Sequence, residues 1–344
     1  MIRFGPAGIP LSCKGRTLKD GIEDVHNLSL TAIEIQMVRP SVYPRPPEDE
    51  EVGMTLRDIV DDFVIEIIRD DLPVNSPDVE IDEEDDLLFI SSPISSTFGS
   101  LYTIGEIAQR MDVSVSMHAP NYMDLGTDTP LAGVCMDSLR HAALMVNALD
   151  GDTVVTSLGL YDTDDRESVD AHIYENLDLI MEWWNDEGIK PNLGVEISGH
   201  QDTFGSLEQI IDLCKEFDNI VPVLNFPRHH ARTSGSLMEA QDFLDVIEAV
   251  EPYSKGCIYS QFAGVEHSDG EERRITPIKK GDLRFETLSD ALTEVSSEMK
   301  IISCSPLLEH DAMYMRIIAE RVLSKKVAKN LREKKKQTAE ASGE

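Results

Sequence analysis

The sequence predicts an α/β protein, a (β/α)8 TIM barrel folded as a single domain. Short apolar runs alternate along the chain with longer stretches whose apolar residues recur at i, i+3, i+4 and i+7, the spacing of an amphipathic helix. The chain has 344 residues, of which 41% are hydrophobic, so it can bury a large core. Eight βα units in succession are typical of a parallel barrel.

The predicted strands and helices follow one another in a regular order. The eight apolar runs that we interpret as strands are residues 2–8, 32–38, 113–119, 152–158, 192–198, 221–226, 256–262 and 300–305. The clearest helical patterns between them are residues 138–149, 176–187, 206–217 and 240–251. The barrel is therefore expected to span residues 1–325.

Two segments depart from this order. Residues 48–86 hold 17 acidic side chains and interrupt the pattern after strand two. We expect them to form an acidic surface insertion whose middle is a small hairpin or a helix. Residues 326–344 are first basic and then polar, and they are predicted to be a disordered C-terminal tail.

The charge of the chain is strongly negative. Its 64 acidic and 31 basic residues give a formal net charge of −33, and the acids are spread over every segment. This distribution favours a halophilic protein, because at molar salt the Debye length is roughly 3 Å and most of the repulsion is screened. The charge therefore does not exclude a polyanionic partner in such a cell.

The cysteines and the apolar runs bear on location. The five cysteines are far apart and form no CxxC motif, and the chain starts without an apolar leader. No run of eighteen apolar residues occurs. The sequence thus predicts a cytoplasmic protein with reduced cysteines and no membrane partner.

Polar side chains stand at the ends of the predicted strands, where a barrel of this kind builds its active site. Imidazole and carboxylate groups are the donors that divalent transition metals prefer. We therefore predict metal binding by His118, Glu196, His230 and His267, with Glu196 as the catalytic residue. The predicted ligand-binding or anion-binding residues are Arg228, His229, Arg232 and Gln261.

Among these residues Glu196 has the strongest case. It stands at an apolar strand end in "GVEIS", where a carboxylate without a partner would be costly to bury. A single histidine at a strand end is more often a packing residue, and "RHHAR" could form an anion-binding or capping turn. Because alternate strands supply one layer of a barrel interior, we expect His118 and Glu196 to lie within ~6 Å of each other.

Several segments resemble one known family. "MHAPNYMDL", "LGVEISG", "VPVLNFPRHHAR" and "IYSQFAGVEH" are similar to blocks of the endonuclease IV-like proteins, also called AP endonuclease family 2, which are xylose isomerase-like TIM barrels; the charge suggests a haloarchaeal type. The resemblance runs to about residue 325 outside the acidic insertion. It implies a DNA repair enzyme that uses a zinc cluster to cleave the phosphodiester 5′ to an abasic site.

The resemblance also implies a set of metal ligands, and this chain departs from that set. His118 and Glu196 match the family's first histidine and its bridging glutamate. Where the family has further donors, this sequence has Ser157, Asn225, Arg228, Gln261, Glu272, Arg274 and Cys304 or its neighbours. With so few donors left, the sequence argues against three zinc ions. The expected cofactor is zinc or another divalent metal, as a single ion or none.

Three functions remain open from the sequence. The first is a metal-dependent enzyme, either a hydrolase of the endonuclease IV type with a reduced metal site or an isomerase or epimerase acting on a sugar. The second is a metal-free barrel that binds an anion without turnover. The third is a non-catalytic scaffold. The expected partner is a phosphorylated or sugar-like small molecule, or abasic DNA by family resemblance.

Overall fold

The structure of the protein is a computed structural model that describes residues 1–74, 76–161 and 165–341. Eight parallel strands form a nearly closed barrel, and each overlaps one of the eight runs predicted from the sequence. The predicted (β/α)8 barrel is therefore confirmed. In chain order the strands of the described residues are β1 (Ile2–Pro6), β2 (Ala32–Gln36), β3 (Ser41–Arg45), β4 (Val64–Arg69), β5 (Leu72–Val74), β6 (Asp86–Ser91), β7 (Ser114–His118), β8 (Thr153–Thr156), β9 (Asn192–Glu196), β10 (Ile220–Asn225), β11 (Cys257–Phe262), β12 (Gly264–Ser268), β13 (Glu271–Thr276) and β14 (Glu298–Ser303).

Helices cover the outside of the barrel. They are α1 (Leu18–Asn27), α2 (Phe98–Arg110), α3 (Pro130–Ala148), α4 (Arg166–Asp186), α5 (Leu207–Glu216), α6 (Phe226–Arg232), α7 (Ala240–Val250), α8 (Phe285–Ala291) and α9 (Glu309–Ala341), with a short 3-10 helix at Glu251–Tyr253. Their starts follow from local sequence. Thr17, Thr97 and Thr129 each accept a backbone N–H as N-caps, and Ser206 forms a capping box with Gln209.

The strand order around the barrel is β1-β14-β11-β10-β9-β8-β7-β2. At one seam β1 pairs in parallel with β14, with Ile2 opposite Met299. At the other seam β1 lies beside β2, where the Thr31 N–H donates to the Phe4 carbonyl at 3.0 Å. Gly5 permits this approach, because a Cβ there would lie 1.8 Å from the Ala32 carbonyl oxygen.

The interior of the barrel has an apolar layer and, below it, an ion pair. The apolar layer is a cluster separate from the main core, and it comprises Ala32, Val155, Val223, Tyr259 and Ile302. Near the N-terminal ends of the strands, Lys300 Nζ lies 2.6 Å from both carboxylate oxygens of Asp152. Lys300 is only 1% exposed. This ion pair is at the opposite end of the barrel from the predicted active site.

The acidic insertion is larger and more ordered than its sequence predicts. Residues 41–91 hold a four-stranded antiparallel sheet in the order β3-β6-β4-β5. The expected hairpin is present as β4 and β5, joined by Asp70 and Asp71, which both have positive φ (53° and 61°), as a two-residue hairpin turn requires. On β4, buried Glu66 is bound by Arg140 (2.8 Å) and contacted by His141 (3.3 Å), both on α3. These ionic contacts fasten the sheet to the barrel.

The last helix reaches further than the sequence analysis expected. Residues 326–341, predicted there to be disordered, continue α9 as a helix. Their content of Lys, Glu, Ala, Arg and Gln, which are good helix formers, accounts for this continuation. Among the helices of the described residues, none combines the length and the apolar character needed to cross a membrane.

Candidate active site at the mouth of the barrel

His118 and Glu196 meet at the C-terminal ends of β7 and β9. The two side chains are buried, with exposures of 6% and 3%, and His118 Nε2 lies 3.2 Å from Glu196 Oε1. His118 Nδ1 lies 2.7 Å from the carbonyl oxygen of Ala119. Because a carbonyl oxygen only accepts, Nδ1 carries a hydrogen and Nε2 is the nitrogen that faces the site.

The two groups form an ion pair. Burial lowers the pKa of His118, but the charge of Glu196 and the hydrogen bond to it act in the opposite direction and raise it to about 9. For Glu196 burial acts in the other direction and raises the pKa. The charges of Arg228 and His118 outweigh burial and hold the pKa of Glu196 well below its ordinary value. At neutral pH an imidazolium therefore donates to a carboxylate.

Arg228 supplies a second positive charge at Glu196. It lies on α6, which starts directly after β10, and the Asn225 side chain caps this helix by accepting the Arg228 N–H at 3.2 Å. Arg228 Nη1 contacts Glu196 Oε1, and Arg228 Nε lies 3.4 Å from Glu272 Oε2. The guanidinium thus joins two carboxylates from different parts of the chain.

Two amide side chains link Glu196 to another buried carboxylate. Asn225 Nδ2 donates to Glu196 Oε2 at 3.3 Å and to Gln261 Oε1 at 2.6 Å. Gln261 Nε2 in turn donates to Glu34 Oε2 at 2.8 Å. We call these four side chains, together with those of His118 and Arg228, the floor network, so that its six members are Glu34, His118, Glu196, Asn225, Arg228 and Gln261.

Glu34 on β2 was missed by the sequence analysis. It is 1% exposed and accepts hydrogen bonds from Gln36 Nε2, Tyr259 Oη and Gln261 Nε2, each at 2.8 Å. Burial and the charge of Glu34 raise the pKa of Tyr259 well above its ordinary value, so its hydroxyl keeps its hydrogen. The signal was present in "AIEIQ", where a carboxylate interrupts an apolar strand as Glu196 does in "GVEIS".

A cavity of about 380 Å³ opens above Glu196 and Arg228. Its wall combines polar and apolar side chains, and its residues are Asn121, Tyr122, Met123, Ser157, Gly159, Leu160, Glu196, Ser198, His200, Thr203, Phe204, Arg228 and Glu272. At the rim, Tyr122 is 87% exposed and has φ of 62°, a left-handed conformation that side chains rarely adopt. An exposed aromatic ring held in this way could stack on a ligand.

His230 and His267, which the sequence analysis placed with His118 and Glu196, lie together in another cluster. Their rings are 4.9 Å apart, and Nε2 of each lies 3.3 Å from a carboxylate oxygen of Asp282. The backbone N–H of Leu237 donates to His230 Nδ1 at 3.1 Å, whereas His230 Nε2 is buried without a hydrogen-bond partner among the described residues. This cluster is separate from His118 and Glu196.

His229 is buried in the protein, and Arg232 forms hydrogen bonds to the backbone. His229 is 8% exposed, and burial lowers its pKa to about 4, which keeps it neutral. Arg232 Nη1 donates to the backbone carbonyls of His200 and, at 3.3 Å, Thr203. Arg232 therefore supports the loop between β9 and α5, which forms one wall of the cavity.

The donors around Glu196 do not suit a divalent metal ion. His118 carries hydrogen on both nitrogens, and Asn225 directs its N–H groups towards Glu196 and Gln261. Within the part of the chain that the structure describes, the groups of three His, Cys, Asp or Glu whose ligand atoms lie within 4.8 Å of one another are His230, His267 and Asp282, and His200, Asp202 and Glu271. Residues that could share an ion are thus present, but neither group includes Glu196 or His118.

The sequence pattern of the xylose isomerase-like TIM barrel family matches residues 80–306 of this chain. The chain belongs to the xylose isomerase-like TIM barrel family. This confirms the resemblance seen in the sequence motifs. An uncharacterised protein of Methanocaldococcus jannaschii is 26% identical to this chain over 210 residues. These residues are 59% of this chain and 76% of the relative.

Solved structures of the same barrel include enzymes of two kinds. Endonuclease IV from Thermus thermophilus superposes with a TM-score of 0.58 at 16% identity, over 94% of this chain and 99% of that one. An L-ribulose 3-epimerase gives 0.57 at 12% identity, over 96% and 97% of the two chains. A D-psicose 3-epimerase crystallised in the presence of D-fructose gives 0.55 at 14% identity, over 92% and 99%. At these sequence identities, the superpositions show only that this xylose isomerase-like barrel has the same fold as those enzymes.

Proposed function

We propose that the protein binds a small sugar-like molecule in the cavity above Glu196 and moves a proton on it. The observation that carries this proposal is a cavity of about 380 Å³ whose lining includes the carboxylate of Glu196 and the guanidinium of Arg228, with His118 buried behind Glu196. This volume is near the lower end of the range for small-molecule sites. Such a cavity suits a monosaccharide or its phosphate.

The cavity wall supports a polyhydroxylated ligand. Ser157, Ser198 and Asn121 offer donors and acceptors for hydroxyl groups. Met123 and Phe204 offer apolar surface for the C–H face of a sugar. Tyr122 at the rim adds an aromatic ring. A ligand with both hydroxyl groups and a C–H face would use the whole wall.

The charge of the site argues for a small molecule over duplex DNA. Proteins that bind DNA neutralise its phosphates with Lys and Arg side chains. Here Glu196, Glu271 and Glu272 lie at or beside the cavity with Arg228, and the chain carries a net charge of −33. Abasic DNA, the substrate implied by the family resemblance, is therefore the comparison ligand in the test.

Glu196 can act as the base of an isomerisation, with His118 as its buried partner. When a carbonyl oxygen of the ligand takes a hydrogen bond from Arg228, Glu196 loses part of its stabilisation and becomes a stronger base. Glu196 then accepts the proton from the hydroxyl-bearing carbon next to the carbonyl, which leaves an enediolate. The hydroxyl proton of that carbon moves to the former carbonyl oxygen, and Glu196 returns the carbon-bound proton to the former carbonyl carbon. These transfers complete an aldose–ketose interconversion with no atom gained or lost.

Ligand-observed NMR in molar potassium chloride tests the proposal, with aldoses, ketoses, their phosphates and an abasic duplex as probes. We expect binding of at least one sugar or sugar phosphate and, in D₂O, deuterium exchange at the carbon next to its carbonyl. The variant Glu196→Gln should lose the exchange. The matched control Glu266→Gln, on an exposed hairpin where Glu266 pairs with Arg274, should keep it. Binding of the abasic duplex alone, with its cleavage, would contradict the proposal.

A further inference from the structure

The geometry points to Arg228 as the built-in cation of this site: its guanidinium takes the place of a metal ion beside Glu196, so that the site functions without a metal and Arg228 itself binds an oxygen of the ligand. The enzymes that the family resemblance implies use metal ions at this end of the barrel. Four features of the floor network and its surroundings indicate that this chain does not hold a metal ion beside Glu196.

The first feature is the position of the guanidinium. Arg228 contacts Glu196, which is 3% exposed, and reaches Glu272 Oε2 at 3.4 Å on its other side. The side chain of Arg228 is 29% exposed and forms part of the cavity surface. A divalent ion bound to Glu196 would meet this fixed positive charge, and the two cations would repel each other.

The second feature is the direction of the neighbouring hydrogens. Asn225 uses its oxygen to cap α6 and its nitrogen to donate to Glu196 and Gln261. Gln261 uses its nitrogen to donate to Glu34. Metal ions need lone pairs, whereas these two amides present N–H groups to the carboxylates. The amides therefore complement two glutamates in the absence of an ion.

The third feature is His118, whose Nδ1 donates to Ala119 while Nε2 faces Glu196 at 3.2 Å. The imidazole is held as a hydrogen-bond donor to the carboxylate.

The fourth feature is the charge around Glu196. The fixed positive charge of Arg228 is shared between the carboxylates of Glu196 and Glu272. The oxygens of Glu196 that an ion would need are thus already occupied by Arg228, His118 and Asn225.

Arg228 also narrows the class of ligand. A guanidinium offers planar, paired N–H groups, which match a carbonyl or carboxylate oxygen better than a lone hydroxyl. On the proposed function, this favours a sugar in its open-chain carbonyl form or a sugar acid. That part of the inference rests on the proposed function, whereas metal independence does not.

The first experiment measures metal in the whole protein. Wild type and Glu196→Gln are purified in high salt without chelator, loaded with Zn²⁺, desalted and assayed for bound zinc. We expect equal zinc in the two proteins, because any ion bound at His230, His267 and Asp282 or at His200, Asp202 and Glu271 does not involve Glu196. Zinc that is bound by wild type and lost in Glu196→Gln would overturn the inference. Any change in melting when EDTA replaces zinc after desalting should be the same in wild type and in Glu196→Gln.

The second experiment converts the site. The variant Asn225→Asp/Arg228→His/Gln261→His replaces the cation and both amides with metal donors, and we expect it to bind one additional equivalent of Co²⁺, seen as a new visible absorption band. The matched control is Asn225→Asp/Gln261→His/Arg110→His, which carries the same kinds of substitution but keeps Arg228. Arg110 is exposed on α2, where its side chain donates to the Glu106 carbonyl. We expect no additional band from the control.

Two results would contradict the role given to Arg228. They are a folded triple variant without the extra Co²⁺, and a control that gains the same band. If the triple variant does not fold, the comparison of wild type with Glu196→Gln still decides the question. No sugar enters these measurements, so a failure of the proposed ligand and a failure of metal independence would be distinguishable.

Discussion

His118 Nε2 and Glu196 Oε1, at the ends of two strands that alternate around the barrel, are separated by 3.2 Å and buried together. This confirms the expectation, made from strand order alone, that the pair would lie within ~6 Å. The Ala119 carbonyl fixes the ring so that Nε2 points at the carboxylate. His118 thus contacts Glu196 in the floor network, and its surroundings determine how it should respond to substitution and to pH.

Replacing His118 with alanine should abolish binding of the sugar probe and lower the free energy of unfolding by no more than ~2 kcal/mol. The cost is limited because Glu196 keeps its contacts with Arg228 and Asn225. Urea unfolding and ligand-observed NMR measure the two effects. A larger loss of stability with binding retained would identify His118 as a packing residue.

The pKa of His118 predicts how stability varies with pH. Its value in the folded protein, about 9, is above the ordinary value of 6.5. The stabilisation is therefore fully present below pH 6.5 and is lost as pH rises through 9. Urea unfolding at pH 6, 7.5 and 9.5 should show this decline in wild type, and His118→Asn should lack that part of it. Parallel curves for the two proteins would contradict the assigned ion pair.

Removing the charge of Glu34 should weaken the hydrogen bonds of the floor network and lower the stability of the protein. In Glu34→Gln, three donors that now point at a carboxylate would face an amide, at a cost of ~1–3 kcal/mol. The pKa of His118 should also fall, because the charge of Glu34 contributes to its elevation. NMR titration of the histidine ring measures this fall. As a control, Glu23→Gln alters an exposed glutamate on α1, 3.9 Å from Lys19, and should change stability by less than ~0.5 kcal/mol.

The ion pair at the other end of the barrel should affect stability without affecting binding. Lys300 is buried whereas the Asp152 side chain is 48% exposed, so the two partners are not equivalent. Asp152→Asn leaves a buried ammonium without a counter-ion and should cost ~3 kcal/mol, whereas Lys300→Met leaves a carboxylate that water can solvate and should cost less than ~1 kcal/mol. Thermal melts of the two variants test this order, and the reverse order would refute the explanation.

The net charge of −33 predicts a strong response to salt. Screening of carboxylate repulsion should raise the melting temperature by about 10 °C between dilute buffer and molar potassium chloride, or roughly 7 kcal/mol for a chain of this size. Calorimetry over a salt series measures the effect. A melting temperature that does not change with salt would count against a halophilic origin.

The barrel could be predicted from the sequence because its strands are short apolar runs with helical patterns between them. The inserted sheet was recognised only in part, since β3 reads "SVYPR", mostly exposed and containing a proline, and lacks the alternation of a typical strand. Its pairing with β6 is a long-range contact that local sequence does not specify.

The candidate site, like the fold, could be predicted from the sequence only in part. His118 and Glu196 were found because each is polar at the end of an apolar strand. The positions of His230 and His267 depend on how α6 packs against the hairpin of β12 and β13, and on Asp282, a loop residue with no signal of its own. Arg228 was predicted to bind a ligand or an anion, but its contact with Glu196 could be seen only once the fold was known.

The pairing of β1 with β14 has a consequence for biosynthesis. Ile2 is translated almost 300 residues before its partner Met299. Until then one edge of β1 stays open, and an open strand edge can join to other chains. Nascent chains arrested before β14 should therefore depend on chaperones, even though β7, β9 and β10 are already complete. The barrel can close only once β14 has been translated.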